Sequence, residues 1–175
     1  MTNNTRELRA LAKTLLALVA FLLLAASQLA AQTTTIILVR HTEKTTEEKD
    51  PALTEEGTRR AEALAAALAD TRVDAIYITQ YQRTSLTAAP LATRRQLTPT
   101  VITAGVPDHP RNVATRLLEN ERGRTVLVVG HSNTIPAIIA ALGGPAVTIA
   151  DAEHDHLFVL QIDGSGGVSF IRGKY

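Results

Sequence analysis

The stretch Thr35-Ile36-Ile37-Leu38-Val39-Arg40-His41 is an uninterrupted apolar run that ends in two basic residues. A second run of the same form, Thr125-Val126-Leu127-Val128-Val129-Gly130-His131, also ends in a histidine. Continuous apolar runs are typical of strands buried on both faces, as in a parallel sheet covered by helices. Ligands of open α/β sheets bind beyond the carboxyl ends of such strands. We therefore expect His41 and His131 to meet in one site, beside Arg40, and this site to bind an anion.

Outward from these two runs, helix-like and strand-like segments alternate. Thr54 predicts a helix N-cap because two acidic residues follow it, where they suit the positive end of a helix. The further predicted elements are a strand at 74–78, a helix at 82–92, a short strand at 101–102, a turn at 107–110, a helix at 112–121, a helix after His131, and a hairpin of 157–162 with 168–172. This order predicts a single three-layer α/β sandwich, with a mostly parallel central sheet flanked by helices and a C-terminal antiparallel hairpin.

Composition narrows the classes of function. The 175 residues are 45% hydrophobic and 20% charged, which suits one globular domain. Three basic residues and one acid precede Gln32, so the remainder has a formal net charge of −1, against +1 for the whole chain. Such a chain lacks the basic surface of a nucleic-acid binder. The absence of cysteine excludes disulfides, cysteine-ligated metals and a cysteine nucleophile.

The N-terminal segment is typical of a secretory signal. Arg6, Arg9 and Lys13 precede an apolar stretch at 15–26, and small residues follow as far as Ala31. We predict a signal peptide at 1–31, cleaved after Ala31, and a domain at 32–175 that is exported and either periplasmic or secreted. The alternative is an uncleaved membrane anchor at 14–31, since about 17–25 residues suffice to span a bilayer. In both cases the domain lies outside the cytoplasm.

Four segments in order resemble the histidine phosphatase superfamily, which includes phosphoglycerate mutases and short phosphohistidine phosphatases. They are Arg40-His41-Thr42-Glu43, then Leu53-Thr54-Glu55-Glu56-Gly57, then 77–88 with Arg83, and Val129-Gly130-His131-Ser132. The family's glycine after the first histidine is replaced by Thr42, and its usual serine by Thr79. The resemblance runs from about residue 34 to 162 and implies that residues 32–175 form a histidine phosphatase-like domain.

The resemblance implies a phosphohydrolase. His41 would attack phosphorus and form a phosphohistidine that water then hydrolyses, while protonated His131 would donate to a phosphoryl oxygen. The residue types suit this chemistry, because Arg40 and Arg83 offer charged planar forks for phosphate oxygens. A histidine near its ordinary pKa supplies an unprotonated ring nitrogen without a separate base. The opposite protonation states predict a bell-shaped pH–rate profile with a mildly acidic optimum.

Three further residues are candidate substrate-binding groups: Thr42, Glu43 and His156. Thr42 would be a minor phosphate donor or a polar filler, Glu43 a pocket-edge group or a loop charge, and His156, or instead His154, would line the pocket rim. The family's general acid has no counterpart here, which favours substrates with good leaving groups. We expect phosphomonoesters or phosphorylated protein side chains as substrates, and neither a metal nor an organic cofactor.

Other readings of these residues stay open. The chain would be a phosphate-binding or interaction module without turnover, or a phosphoglycerate mutase-like phosphotransferase. A metal-dependent enzyme would use His131, His154 and His156, and chelation would then abolish activity. Two smaller predictions concern loops: Asn133 caps the following helix, and His109 is a turn residue.

Overall fold

The computed structural model describes Lys13, Leu15, Leu18 and Val19, and then residues 33–47 and 49–175. The predicted segment 1–31, with its cleavage after Ala31, lies outside the described residues apart from those four positions. Among the described residues, no helix combines the length and apolarity needed to cross a membrane.

Six strands and four helices alternate along the described body. The strands are β1 Thr34–Arg40, β2 Ala75–Ile78, β3 Thr100–Val101, β4 Thr125–Gly130, β5 His156–Ile162 and β6 Val168–Lys174; the helices are α1 Glu55–Ala67, α2 Gln82–Arg95, α3 His109–Asn120 and α4 Thr134–Ala141. The sheet order is β3-β2-β4-β1-β5-β6. Neighbours from β3 to β1 pair in parallel, whereas β5 pairs antiparallel with both β1 and β6. The predicted fold class is confirmed.

The sheet is covered on both faces. Successive residues of β1 and β4 point to opposite sides, so that Leu38 and Val128 pack with α3 and α4, while Val39 and Val129 pack with α1 and α2. Both strands are therefore apolar at nearly every position, as the sequence runs predicted. The pairing of β1 with β4 aligns Arg40 with Gly130, which places the two histidines side by side.

Helix α1 is fixed beneath the loop that follows His41. The Thr54 side chain accepts a hydrogen bond from the Gly57 amide at 3.0 Å, as predicted for an N-cap. A Cβ atom built on Gly57 would lie 2.1 Å from the carbonyl oxygen of Glu43. Glycine at this position is therefore what allows the helix to approach the loop backbone.

Two helix boundaries differ from the prediction by three residues. Helix α2 continues past 92 to Arg95 and ends at Gln96, which adopts a left-handed conformation with φ 54°. Helix α3 begins at His109, inside the predicted turn at 107–110, because Pro110 fits the first turn of a helix, where no amide partner is needed. His109 is accordingly a buried helical residue and not a turn residue, and its Nδ1 donates to the Thr103 carbonyl at 2.9 Å.

Candidate active site

His41 directly follows β1, and its ring is oriented by backbone. The His41 amide donates to Gly130 O at 2.9 Å, which joins the ends of β1 and β4. The ring Nδ1 lies 2.8 Å from the Thr42 carbonyl oxygen. Because a carbonyl only accepts, Nδ1 carries the proton, and the neutral ring has a bare lone pair on Nε2. This is the form in which imidazole acts as a nucleophile.

His131 lies opposite, at the end of β4. The ring centroids of His41 and His131 are 5.3 Å apart, with the planes inclined by 65°. The His131 amide donates to Thr134 Oγ1 at 2.8 Å, which fixes the start of α4. Its ring Nε2 lies 3.1 Å from Thr79 Oγ1 at the end of β2. Three neighbouring strands thus deliver the groups of one site.

Burial lowers the pKa values of both histidines. The pKa of His41 falls to about 3, first because burial disfavours the cation; the bond to Thr42 opposes this, and the charges of His131, Arg83 and Arg40 add to it. The pKa of His131 falls to about 4, through burial and then through Arg83, His109 and Arg40. The sequence predicted a protonated His131; in the protein without a bound anion, burial and these cations hold it neutral.

One nitrogen of the Arg40 guanidinium is hydrogen-bonded to the protein backbone. Its Nη1 donates to the carbonyl oxygens of Ala150 at 2.8 Å, Asp151 at 3.0 Å and Glu153 at 3.3 Å. These bonds tie the 150–153 loop to the end of β1. The Nη2 atom lies 3.9 Å from the fully exposed carboxylate of Asp151. Arg40 therefore positions a loop as well as offering charge to the cavity.

Arg83 enters the site from the first turn of α2. Its guanidinium lies over the Tyr81 ring, 4.2 Å from the centroid, and the same ring meets His131 edge-on at 5.5 Å. The Arg83 Nη1 atom is 3.7 Å from Asp50 Oδ1. Tyr81 thus orients both the arginine and the second histidine.

The Nε atoms of both arginines are buried donors without a partner. Among the described residues, only four buried side-chain polar atoms have no hydrogen-bond partner, and Arg40 Nε and Arg83 Nε are two of them. Buried polar groups are nearly always paired with protein, water or an ion. Both arginines also line one cavity, and their charged planar groups suit an oxyanion there.

Helix α2 also supplies two threonines, one bonded to the His41 loop and one bonded to Thr79. Thr87 Oγ1 donates to the Arg83 carbonyl at 2.7 Å and accepts from the Thr42 amide at 3.1 Å. Thr84 Oγ1 lies 3.1 Å from Thr79 Oγ1, which contacts His131. Both threonines are fully buried. One helix face therefore positions an arginine, the His41 loop and the threonine that contacts His131.

The predicted pair of histidines and pair of arginines share one cavity of about 370 Å³. Its lining residues are Arg40, His41, Lys44, Tyr81, Arg83, Ala104, Gly105, His131, Ser132, Asn133, Thr134 and Asp151. A larger groove of about 500 Å³ lies between α1 and α2 and is lined mainly by small apolar and threonine side chains, without a histidine. The smaller cavity is therefore the one lined by the predicted catalytic residues.

The other three predicted binding residues do not line this cavity. Thr42 is fully buried against Thr87, with the two hydroxyls 3.3 Å apart. Glu43 turns toward α1, where Arg60 Nε donates to both of its carboxylate oxygens at 2.8 and 3.0 Å. Each of these side chains stabilises the loop from below.

His156 does not line the cavity as predicted, whereas the alternative residue, His154, lies beside the His41 ring. His156 Nε2 lies 2.8 Å from Arg172 Nη2 and 3.1 Å from Glu153 Oε1, under the end of the sheet. His154 Nδ1 donates to the carbonyl of His41 at 2.9 Å, with ring centroids 5.9 Å apart. Within residues 33–47 and 49–175, no group of three or more His, Asp or Glu side chains could hold a metal ion.

Several cavity residues were missed by the sequence reasoning. Asn133 occupies the N-cap position of α4 but makes no capping bond with its side chain, which corrects the prediction; the Thr134 hydroxyl bonds the His131 amide instead. Asp151, Lys44 and Tyr81 lie far from the histidines in sequence or belong to loops. For Tyr81, its place two residues before Arg83 was a usable signal.

Comparison with known proteins agrees with this geometry. Residues 36–107 match the family model of the histidine phosphatase superfamily (branch 1), a segment that includes Arg40, His41 and Arg83 and ends before His131. The predicted resemblance to the histidine phosphatase superfamily is confirmed by this match and by the fold shared with solved phosphatase structures. No curated protein sequence gives a match.

Solved structures share the fold at low sequence identity. A mycobacterial glucosyl-3-phosphoglycerate phosphatase is 19% identical, covers 82% of this chain and 99% of its own, and has a TM-score of 0.63. A putative alpha-ribazole-5'-P phosphatase from Escherichia coli K-12 is 16% identical over 81% and 96%, with a TM-score of 0.66. The protein histidine phosphatase SixA, complexed with tungstate, is 19% identical over 80% and 96%, with a TM-score of 0.64.

Proposed function

We propose that this protein is an exported phosphohydrolase that cleaves phosphomonoesters or phosphorylated protein side chains through a phosphohistidine on His41. The observation that carries the proposal is the bare Nε2 of His41, in a cavity shared with His131, Arg40 and Arg83. The family and the fold of its phosphatase members support phosphohydrolase activity.

The reaction proceeds in two displacements. His41 Nε2 attacks phosphorus in line, the bond to the leaving oxygen or nitrogen breaks, and a phosphohistidine forms. Arg40 and Arg83 hold the phosphoryl oxygens, and His131 donates a hydrogen bond as charge redistributes. Water then attacks the phosphohistidine, which releases phosphate and restores the bare nitrogen.

The acidic side chains beside the cavity do not supply an evident proton donor. Asp151 is fully exposed and lies near Arg40, and Asp50 lies near Arg83 and accepts from the Gln82 amide at 3.0 Å. This supports substrates with good leaving groups, such as aryl phosphates and phosphoramidates.

Hydrolysis of para-nitrophenyl phosphate by the purified domain tests the proposal. We expect turnover that is lost in His41→Ala, and a phosphorylated peptide containing His41 when the reaction is quenched in alkali, where phosphohistidine survives. Equal rates in the parent protein and His41→Ala would contradict the proposed nucleophile. Sulfate binding without turnover would identify a phosphate-binding module, and loss of activity on chelation would identify a metal enzyme.

The cellular location is a separate part of the proposal. It is supported by the basic, apolar and small-residue order of segment 1–31. Expression of the full chain in bacteria, followed by fractionation and N-terminal sequencing, tests it. We expect a periplasmic protein that begins at Gln32, whereas a cytoplasmic protein that keeps its first residues would overturn it.

A further inference from the structure

The hydroxyl proton of Thr84 is committed to backbone carbonyls. Thr84 Oγ1 lies 2.8 Å from the Tyr81 carbonyl oxygen and 3.1 Å from that of Thr79. Because carbonyl oxygens only accept, Thr84 donates here. Its oxygen is then left to accept at its remaining contacts, which are the Thr79 amide at 3.2 Å and the Thr79 hydroxyl at 3.1 Å.

This commitment orients the hydroxyl of Thr79. If Thr79 Oγ1 donates to Thr84, it accepts at its 3.1 Å contact with His131 Nε2, and every contact in the group has one donor and one acceptor. In the opposite arrangement Thr79 would donate to His131. Two hydroxyl oxygens would then face each other at 3.1 Å without a proton between them, in a fully buried environment.

We infer that Thr79 and Thr84 hold His131 as the Nε2–H tautomer, so that this cavity binds a tetrahedral oxyanion only by taking up a proton on His131 Nδ1. The neutral ring has a bare Nδ1, which would repel an anionic oxygen until it is protonated. His41 has the reverse tautomer, with Nδ1–H and a bare Nε2. The hydrogen bonds of the two histidines thus give them opposite tautomers, which suit opposite roles. The inference rests on the proposed function only in placing the anion in this cavity.

The groups that face His131 set the strength of this coupling. Arg40 on β1, Arg83 on α2 and His109 on α3 all oppose a cation at His131, whereas His41 stays neutral above about pH 3. A bound dianion offsets these charges and favours the imidazolium. Lys44 and Asp151 line the same cavity and contribute one charge of each sign.

The test measures sulfate binding to the parent protein as a function of pH. Sulfate is a tetrahedral dianion that does not titrate in the range used, so any proton uptake belongs to the protein. We expect its Kd to rise about tenfold per pH unit above the free His131 pKa of about 4. The ¹⁵N shifts of His131 should report Nε2–H without sulfate and an imidazolium with it.

Variants separate the hydroxyl from the shape of the side chain. In Thr79→Val the ring is free to become Nδ1–H, and the Kd should change less than about twofold per pH unit. Thr79→Ser keeps the hydroxyl and should restore the tenfold slope. Thr93→Val, an exposed threonine on the same helix as Thr84, should match the parent.

Each outcome bears either on the inference about His131 or on the proposed function. A flat Kd in the parent, an Nδ1–H neutral tautomer in its spectrum, or an unchanged slope in Thr79→Val would overturn the inference. The spectrum of the parent gives this answer even if Thr79→Val does not fold. A steep slope in a protein that hydrolyses no phosphate ester would overturn the proposed function and leave the inference standing.

Discussion

The two histidine loops of this site are built alike and held differently. Each follows a buried parallel strand, but only the His41 loop is bonded directly by a threonine of α2, while at His131 the α2 threonine acts through Thr79. At His41 the ring is fixed by the carbonyl of the next residue, so its tautomer depends on local backbone alone. At His131 the ring is fixed by the hydroxyl of Thr79, which directly follows another strand, β2.

Because of this difference, the tautomer of the nucleophile His41 does not depend on other side chains, whereas the tautomer of the donor His131 does. The peptide carbonyl of Thr42 is present whatever side chain stands there, so replacement of glycine by threonine leaves the orientation of His41 intact. The tautomer of His131 depends on two hydroxyl groups that single substitutions remove. The proton taken up on anion binding goes to His131, which is the histidine whose tautomer depends on other side chains.

Substitution of the two histidines is expected to give the largest effects. His41→Asn removes the attacking nitrogen, and hydrolysis of para-nitrophenyl phosphate should fall by more than about a thousandfold, which is roughly 4 kcal/mol of barrier. His131→Asn keeps the nucleophile and removes a donor, so the fall should be about a hundredfold to a thousandfold. Phosphohistidine should still form, slowly, in His131→Asn. Comparable phosphoenzyme formation in both variants would show that the roles are assigned wrongly.

The elements near the sheet were predictable, because burial on both faces leaves a plain sequence signal. The runs that became β1 and β4 are apolar at nearly every position, and the hairpin of β5 and β6 has a glycine-rich turn between its strands. The helix start at His109 was missed because the residue pattern Asp108-His109-Pro110 serves a turn and a helix N-terminus equally.

The site was predictable only where chemistry and motif coincide. The site residues recognised from the sequence have side chains typical of anion-binding sites; they are Arg40, His41, Arg83 and His131. Thr79, Thr84 and Thr87 act through hydrogen bonds whose partners lie as many as 52 residues away, and threonine is common in the chain. His156 was assigned to the rim from the family resemblance, but its ring turns to Arg172, which lies on the neighbouring strand β6. Contacts between distant segments carry no signal in one sequence.

Acidification should destabilise the fold through both histidines. Their folded pKa values, about 3 and about 4, lie below the unfolded value of 6.5, so the unfolded chain binds more protons between these limits. Stability is therefore complete above about pH 6.5 and falls as the pH decreases, by at most about 1.4 kcal/mol per pH unit for each histidine. Urea unfolding at pH 6 and 4.5 measures this loss. His41→Asn and His131→Asn should each lose less stability over that interval than the parent, and an unchanged loss in both would contradict the pKa shifts.

The smallest expected effect concerns Thr87, which holds the His41 loop and is compared with an exposed threonine of the same helix. Thr87→Val removes the acceptor of the buried Thr42 amide, and an unsatisfied buried donor costs about 1–3 kcal/mol of unfolding free energy. Thr87→Ser should recover most of this loss, and Thr93→Val, on the exposed face of the same helix, should change stability by less than about 0.5 kcal/mol. Because the carbonyl of Thr42 remains in place, the protonated nitrogen of His41 should still be Nδ1 in Thr87→Val by ¹⁵N shifts. A change of that tautomer would show that the His41 ring, like the His131 ring, depends on side chains from α2, and the contrast between the two loops would fail.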